Sequence, residues 1–283
     1  MGKTIISTYK KIFDWFLNNI VLVIFLMIGV FLNYEALEYG PRVIVLDVGQ
    51  GDAIFLIDSS GKKILVDGGG GDYVVYSISD YLHPRDRIID IVILTHPHED
   101  HLSGLIDILE RFKVKEVLYY PACYNSNLYK YFLYLDENIV IIDNEFSFQG
   151  NSFSLDLLFP LEEVEEGCVE FSNVNNASIV LKLLSDSGTM LLTGDAEHEV
   201  EDWLMRNYSR EDLKVDVLKA GHHCSRTASS QRFLEYIQPS YAICCVGEDN
   251  RFGHPHREVI ENFEKLNIKY DLTYKTGDII FEL

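Results

Sequence analysis

The apolar positions of this chain fall into three patterns. The first is a block near the N-terminus, where the run from Ile20 to Leu32 is 13 residues long and contains no charged or polar side chain. The second is a series of short apolar runs of strand length. The third is a set of stretches whose apolar residues recur every three or four positions. The short runs predict strands over 42–48, 53–58, 62–67, 90–95, 116–120, 138–142, 152–158, 177–184, 188–193, 214–219, 240–246 and 277–282. The periodic stretches predict helices near 73–83, 102–112, 195–206, 229–237 and 255–266. Turns such as Gly49-Gln50-Gly51 and Ser59-Ser60-Gly61 separate the first four strands, and helices interleave only later. That order predicts an α/β domain of two mixed sheets, packed together and covered by helices.

The N-terminal block has a different character. Thirteen residues fall short of the roughly 20 that a membrane-crossing helix needs. Including Ile12, Phe13, Trp15, Phe16 and Leu17 gives 21 positions, at the cost of Asp14, Asn18 and Asn19. A cleaved signal peptide, with an apolar region of about 7–15 residues, is the competing reading. No small-x-small cleavage site follows Leu32, so an uncleaved anchor is the expectation. Lys3, Lys10 and Lys11 precede the block and acids follow it. That asymmetry places the N-terminus in the cytoplasm and the bulk of the chain outside, or secreted if the segment is cleaved.

Composition narrows the function classes. The 283 residues are 47% hydrophobic and carry a formal net charge of −20. There is ample material for a core, and a general basic surface for nucleic acid is excluded. A local basic groove, or a phosphate held through metal ions, is not. The five cysteines show no CxxC pair and no regular spacing, and an odd count cannot all pair within one chain. A disulfide scaffold is therefore not expected, and Cys244-Cys245 in the run Tyr241–Val246 read as small core residues.

Three of the nine histidines lie in Thr95-His96-Pro97-His98-Glu99-Asp100-His101, directly after the apolar run Ile91–Leu94. Pro97 keeps the preceding backbone extended, so His96 and His98, two apart, point to one side. Asp100 and His101 fall at the start of the next helix. A loop leaving a buried strand thus presents imidazole and carboxylate donors of the kind that zinc, manganese or iron accept.

This His-x-His-x-Asp-His loop resembles the hallmark of the metallo-β-lactamase superfamily, and the resemblance extends over almost the whole chain after the N-terminal block. Asp67 in Val66-Asp67-Gly68-Gly69 is similar to the family's aspartate at the end of an early strand. Asp195 in Leu192-Thr193-Gly194-Asp195 is similar to the acidic ligand lying between two metals, and His222-His223 to the late histidine motif. A narrower resemblance, to the hydrolase domain of the ComEC family of DNA-internalization competence proteins, rests on three stretches. They are Leu46-Asp47-Val48-Gly49-Gln50-Gly51-Asp52-Ala53, Lys219-Ala220-Gly221-His222-His223 with Ser225, and Gly253-His254-Pro255-His256. Proteins of that family also carry a multi-helix membrane channel. This chain has room for one span, so the transport function does not carry over.

The resemblance implies a four-layer αββα sandwich over 40–283; the N-terminal pattern sets it behind a membrane anchor, or signal peptide, over 12–33 and a cytoplasmic tail over 1–11. It implies two divalent transition-metal ions, zinc first, with manganese or iron as alternatives. His96 and His98 would hold one ion, Asp100 and His101 the other, with His222 joining the second and Asp195 between them. Asp67 would orient a ligand histidine by hydrogen bond. Asp100 would help orient a hydroxide held between the metals, and His223 or His254 would steady phosphoryl oxygens or protonate a leaving group. Which of His222 and His223 is the ligand stays open. Asp195 also reads as a helix N-cap, and Asp47 and Asp52 as residues that shape the Gly49-Gln50-Gly51 turn.

Two departures stand out. The family's fullest metal sets include a histidine between the loop and the bridging aspartate, and this chain has none from Leu102 through Asp195. The nearest polar cluster is Asn173, Asn175, Asn176 and Ser178, which predicts a weaker first site. The second departure is Cys224, where the ComEC pattern has glycine; it reads as a tolerated thiol, with metal ligation or oxidation as the other options. The functional expectation is a hydrolase of phosphodiesters, with DNA first among substrates and no obligate protein partner. The alternatives are a hydrolase of a cell-envelope phosphoester or of a small ester or amide, and a non-catalytic module that kept the fold.

Overall fold

The computed structural model describes residues 2–35, 40–135, 138–142, 146–164 and 167–283. The chain divides into two units, one ending at residue 39 and one spanning Gly40–Leu283. The first is a single helix, α1 (Gly2–Glu35). It starts before the expected span because no proline or internal glycine interrupts Lys3–Lys11. Within it, the 20 residues Lys10–Gly29 have a mean hydropathy of 2.0 and are long and apolar enough to cross a membrane. The large side chains from Ile12 to Ile28 are exposed.

The second unit holds two seven-stranded sheets. The first is built from β1 (Arg42–Val45), β2 (Ile54–Ile57), β3 (Lys63–Val66), β4 (Ile88–Leu94), β5 (Lys113–Tyr119) and β6 (Ile139–Ile141). The second takes β7 (Ser147–Gln149), β8 (Phe153–Phe159), β9 (Val180–Ser185), β10 (Gly188–Leu192), β11 (Val217–Lys219), β12 (Tyr241–Cys244) and β13 (Lys269–Leu272). The last strand, β14 (Ile279–Glu282), returns to the first sheet and pairs antiparallel with β1. Each sheet is antiparallel at one side and parallel at the other: β3, β4, β5 and β6 run parallel, as do β10, β11, β12 and β13.

Burial explains the layering. The strands carry apolar residues on both faces, as strands covered on both sides must. One face of each sheet meets the other sheet, through Val45, Leu56, Val66 and Ile93 against Leu155, Leu181, Met190 and Ile243. The outer face of the first sheet is covered by α2 (Tyr73–Ser79), α3 (Glu99–Arg111) and α4 (Asn127–Leu135). That of the second is covered by α5 (His198–Asn207), α6 (Arg210–Leu213), α7 (Gln231–Ile237) and α8 (Arg257–Lys265). This is the four-layer αββα sandwich of the metallo-β-lactamase fold.

Five elements are absent from the expectations, among them the single-turn helix α6, whose Arg210-Glu211-Asp212-Leu213 offers one apolar residue. Helix α4 was hidden in an aromatic-rich stretch, although Tyr129 and Phe132, three apart, are the pair it buries. Strands β7 and β13 and the short helix α9 (Thr273–Thr276) are three or four residues long and carry little apolar signal. The cysteine expectation is corrected: Cys123 is joined to Cys168 and Cys224 to Cys244, leaving Cys245 as the free thiol. The odd count excluded only complete pairing. Folding brings together cysteines 45 and 20 residues apart, a proximity that spacing alone does not reveal.

Candidate metal centre

The polar residues of interest sit where parallel strands end. Asp67 follows β3, His96 and His98 follow β4, Asp195 follows β10, and His222 and His223 follow β11. In parallel sheets the carboxyl ends of strands are where the chain is free to leave the hydrogen-bonded ladder and present side chains. All of these segments open at one end of the sandwich.

Asp67 organises the first sheet's contribution. It is fully buried, with φ at +59°. One carboxylate oxygen accepts the Thr95 N–H at 2.8 Å, while the other accepts the Thr95 hydroxyl at 2.7 Å and faces His101 Nδ1 at 2.8 Å. The carboxylate therefore fixes the His101 ring and turns Nε2 toward the centre. Helix α3 reaches this position because Gly104 lets it lie on the Gly68 carbonyl; a side chain at Gly104 would strike that oxygen.

Asp195 is the hub. It is buried, and its carboxylate faces two groups of imidazoles. Oδ1 lies 3.3 Å from His101 Nε2, whereas Oδ2 lies 3.3 Å from His223 Nε2 and 3.8 Å from His96 Nε2. His96 Nε2 lies 3.1 Å from His98 Nδ1, and the His98 ring meets Tyr124 edge-on. His223 Nδ1–H donates to the Cys245 carbonyl at 2.8 Å, which leaves Nε2 facing Asp100 Oδ2 at 3.4 Å and His101 Nε2 at 3.3 Å. Asp195 caps no helix: α5 starts at His198 with Glu197 at its N-cap, and the Asp195 N–H donates to Ser178 Oγ at 3.0 Å.

His222 is placed differently from its neighbour. Its Nδ1 pairs with Glu197 Oε1 at 2.9 Å and lies 3.2 Å from Thr227 Oγ1, while its Nε2 is 3.9 Å from Asp195 Oδ2. Asn175 also donates to Glu197, at 3.0 Å, so the Asn173–Ser178 turn braces this pair. Burial opposes ionisation of Glu197, but the hydrogen bonds from His222 and Asn175 outweigh it and pull its pKa to about 2. His254 stands at the rim, its ring 5.3 Å from that of His222 and 6.2 Å from that of His223. Burial, reinforced by His223 and His222, lowers its pKa to about 4. It is a neutral imidazole at pH 7.

Two charged groups lie beneath the cluster, Asp52 after the Gly49-Gln50-Gly51 turn and Lys219 at the end of β11. Lys219 is completely buried; its ammonium donates to the Gly194 carbonyl at 2.8 Å and pairs with Asp52. Asp52 in turn faces His223 Nδ1 at 3.4 Å and His101 Nδ1 at 3.9 Å. Neither residue carries a local signal of this role: Asp52 lies in the turn after Gly51, and Lys219 ends a stretch that already holds Lys214 and Asp216.

Protonation reflects these contacts. Burial lowers the His96 pKa well below the ordinary imidazole value, and the neighbouring His101 adds to it. At His101 and His223 burial acts in the same sense, but the carboxylates overrule it: Asp195 and Asp67 at the first, Asp195, Asp100 and Asp52 at the second. Both are raised well above the ordinary range. The donor set suits divalent metals. His96, His101 and Asp195 lie close enough to share one ion, and Asp100, His101 and His223 another. Moreover, the buried Asp195 Oδ1 accepts no hydrogen bond and meets only the ring nitrogen of His101, at 3.3 Å, and the Lys219 ammonium, at 3.9 Å, which leaves it able to take a cation.

Residues 46–248 match the Metallo-beta-lactamase superfamily, and the chain belongs to that superfamily of metal-dependent hydrolases. Within it, the chain is similar to competence proteins of the ComEC type. It is 27% identical over 266 residues to ComE operon protein 3 of Bacillus subtilis, covering 87% of this chain and 33% of that protein. It is 29% identical over 242 residues to Recombination protein 2 of Haemophilus influenzae, covering 84% and 28%. The chain thus spans about a third of the length of these relatives. Among solved structures, the metallo-beta-lactamase fold protein YhfI of Bacillus subtilis superposes with a TM-score of 0.56 at 12% identity, covering 86% of this chain and all of that one.

Proposed function

We propose that the chain is a two-metal phosphodiesterase acting on nucleic acid, held at the outer face of a membrane by α1. The observation that carries this reading is the buried Asp195 carboxylate, whose Oδ1 faces His101 and whose Oδ2 faces both His96 and His223, so that it stands between the imidazoles of two ligand sets. Following the resemblance, we assign His96, His98 and Asp195 to the first ligand set and Asp100, His101, His223 and Asp195 to the second, while His101 also lies close enough to His96 and Asp195 to join the first. His223 takes the place that the resemblance gave to His222, because its Nε2 lies within the cluster and the His222 ring is paired with Glu197. The first set has two imidazoles and no third, since Asn175 braces Glu197 and His222 instead. Zinc fits these donors best.

When bound, two such ions supply a nucleophilic water at neutral pH and neutralise charge on a phosphoryl group. The chain's own residues do the rest. Asp100, 28% exposed at its side chain, stands where it can accept a hydrogen bond from the attacking water. Neutral His254 at the rim can donate to a phosphoryl oxygen. The similarity to Recombination protein 2 and to competence proteins supports nucleic acid as substrate. The paired cysteines support an oxidising compartment, in line with Lys3, Lys10 and Lys11 on the cytoplasmic side of the helix.

The test is hydrolysis of bis-nitrophenyl phosphate and of a labelled oligonucleotide by metal-reconstituted protein, with metal counted by elemental analysis. Two ions per chain and cleavage of both substrates are expected. A protein that takes up no metal at neutral pH refutes the reading. A second reading, hydrolysis of a smaller envelope phosphoester or ester, is favoured by the net charge of −20, which repels long polyanions. It gains if bis-nitrophenyl phosphate is cleaved and the oligonucleotide is not.

A further inference from the structure

The loop that carries His223 has an unusual backbone. His222, His223 and Cys224 are three successive residues with positive φ, at 45°, 52° and 60°. None is glycine. The left-handed region is disfavoured for residues with a Cβ, and each such residue persists only where its surroundings hold it. Three in a row demand correspondingly strong restraint.

The surroundings supply it from one strand. Cys224 is bonded through its sulfur to Cys244, the last residue of β12. The next residue, Cys245, accepts the His223 Nδ1–H at 2.8 Å. Two neighbouring positions at the end of β12 therefore hold two neighbouring positions of the loop, one covalently and one by hydrogen bond. The other restraints are backbone hydrogen bonds: His222 N–H to Gly194 O at 3.2 Å, Ser225 N–H to His222 O at 2.8 Å, and His256 N–H to Cys224 O at 2.9 Å. Both bonded cysteines are fully buried.

We propose that the Cys224–Cys244 disulfide is a positioning device for the metal centre: it holds a left-handed, non-glycine backbone so that His223 Nε2 faces Asp100 and Asp195. The inference rests on the reading of His223 as a residue that faces the ion. It makes a specific demand. A glycine at 224 adopts φ near +60° at no steric cost, so glycine needs no disulfide there, whereas alanine does. The Cys123–Cys168 disulfide lies elsewhere in the chain and serves as the control.

The experiment compares full-length protein with the pairs Cys224→Ala/Cys244→Ala, Cys224→Gly/Cys244→Ala and Cys123→Ala/Cys168→Ala. Non-reduced peptide mapping first establishes the Cys224–Cys244 linkage in the parent; a free Cys224 thiol there overturns the proposal. Zinc affinity is then measured by competition with a chromogenic chelator. The downfield His223 Nδ1–H resonance is followed in metal-free protein, which keeps the test independent of metal binding. The alanine pair is expected to bind zinc about tenfold more weakly than the parent and to lose the resonance. The glycine pair and the control are expected to stay within about threefold of the parent and to keep it. An alanine pair that matches the parent in both readouts overturns the proposal, and so do alanine and glycine pairs equally impaired. If the alanine pair does not fold, the glycine pair decides alone: parental affinity and resonance support the inference, and loss of both refutes it. If the parent itself binds no metal, the functional reading fails, and the resonance still decides the positioning role.

Discussion

Replacing Lys219 with methionine tests the electrostatic floor of the site. The ammonium is fully buried, pairs with Asp52 and donates to the Gly194 carbonyl at 2.8 Å. Methionine fills a similar volume but leaves the Asp52 carboxylate, 1% exposed, without its strongest partner. Removing one member of a buried ion pair costs about 3–5 kcal/mol, because the remaining charge stays desolvated. For a unit the size of Gly40–Leu283, that corresponds to a drop in Tm of roughly 6–20 °C. The assay is urea denaturation of the metal-free protein, with the Lys219→Met, Asp52→Asn and double variants forming a cycle. In the double variant no charge is stranded, so most of the loss should return, and the coupling should exceed about 2 kcal/mol. A Lys219→Met variant within about 1 kcal/mol of the parent would refute the reasoning.

Three other outcomes follow from the same geometry. Asp195→Asn should reduce turnover at least about a thousandfold, some 4 kcal/mol of transition-state stabilisation, while far-ultraviolet circular dichroism stays parental; near-normal turnover on bis-nitrophenyl phosphate removes Asp195 from the centre. His223→Ala should weaken metal binding more than His222→Ala by about tenfold or more, as read by chelator competition; the reverse order returns the ligand role to His222. In chelated protein the folded-state pKa values of His101 and His223 are raised. Their stabilisation is therefore complete below the unfolded value of about 6.5 and is lost as pH climbs through the raised values. Tm without metal should fall from pH 6.5 to pH 9, and a rise across that window contradicts the assignment.

The strands and the αββα layering were legible because each buried strand is a compact apolar run bounded by turn residues. The candidate metal loop stood out in the sequence because three histidines lie within the seven residues 95–101. What escaped depends on contacts across long sequence separations. Lys219 and Asp52 are 167 positions apart in sequence yet share one buried pair, and nothing local marks a lysine in Val217-Leu218-Lys219 as a counter-ion. Which of His222 and His223 faces the cluster depends on tertiary contacts: the Cys245 carbonyl holds the His223 ring and the Glu197 carboxylate holds the His222 ring. Cysteine pairing is likewise tertiary information.

The balance of charge inside the cluster explains how protons and metal exchange places. Burial works against ionisation of Asp52, Asp100 and Asp195, yet all three are held below their usual range by neighbouring cations: Lys219 and His223 at Asp52, His223 and His101 at Asp100 and at Asp195. Carboxylates gathered in a low-dielectric interior require positive charge close by. Lys219 supplies one fixed charge, and in the metal-free protein the protons on His101 and His223 supply the rest. Divalent ions at the same positions would provide more charge and would need those imidazoles neutral. Metal uptake therefore expels the protons, and affinity should rise with pH for as long as His101 and His223 remain protonated. The aspartates set the depth of this electrostatic well, while the histidines set its shape. Because Asp67 orients His101 and Asp52 faces His223, both carboxylates would act on the affinity of a bound metal through the rings they hold.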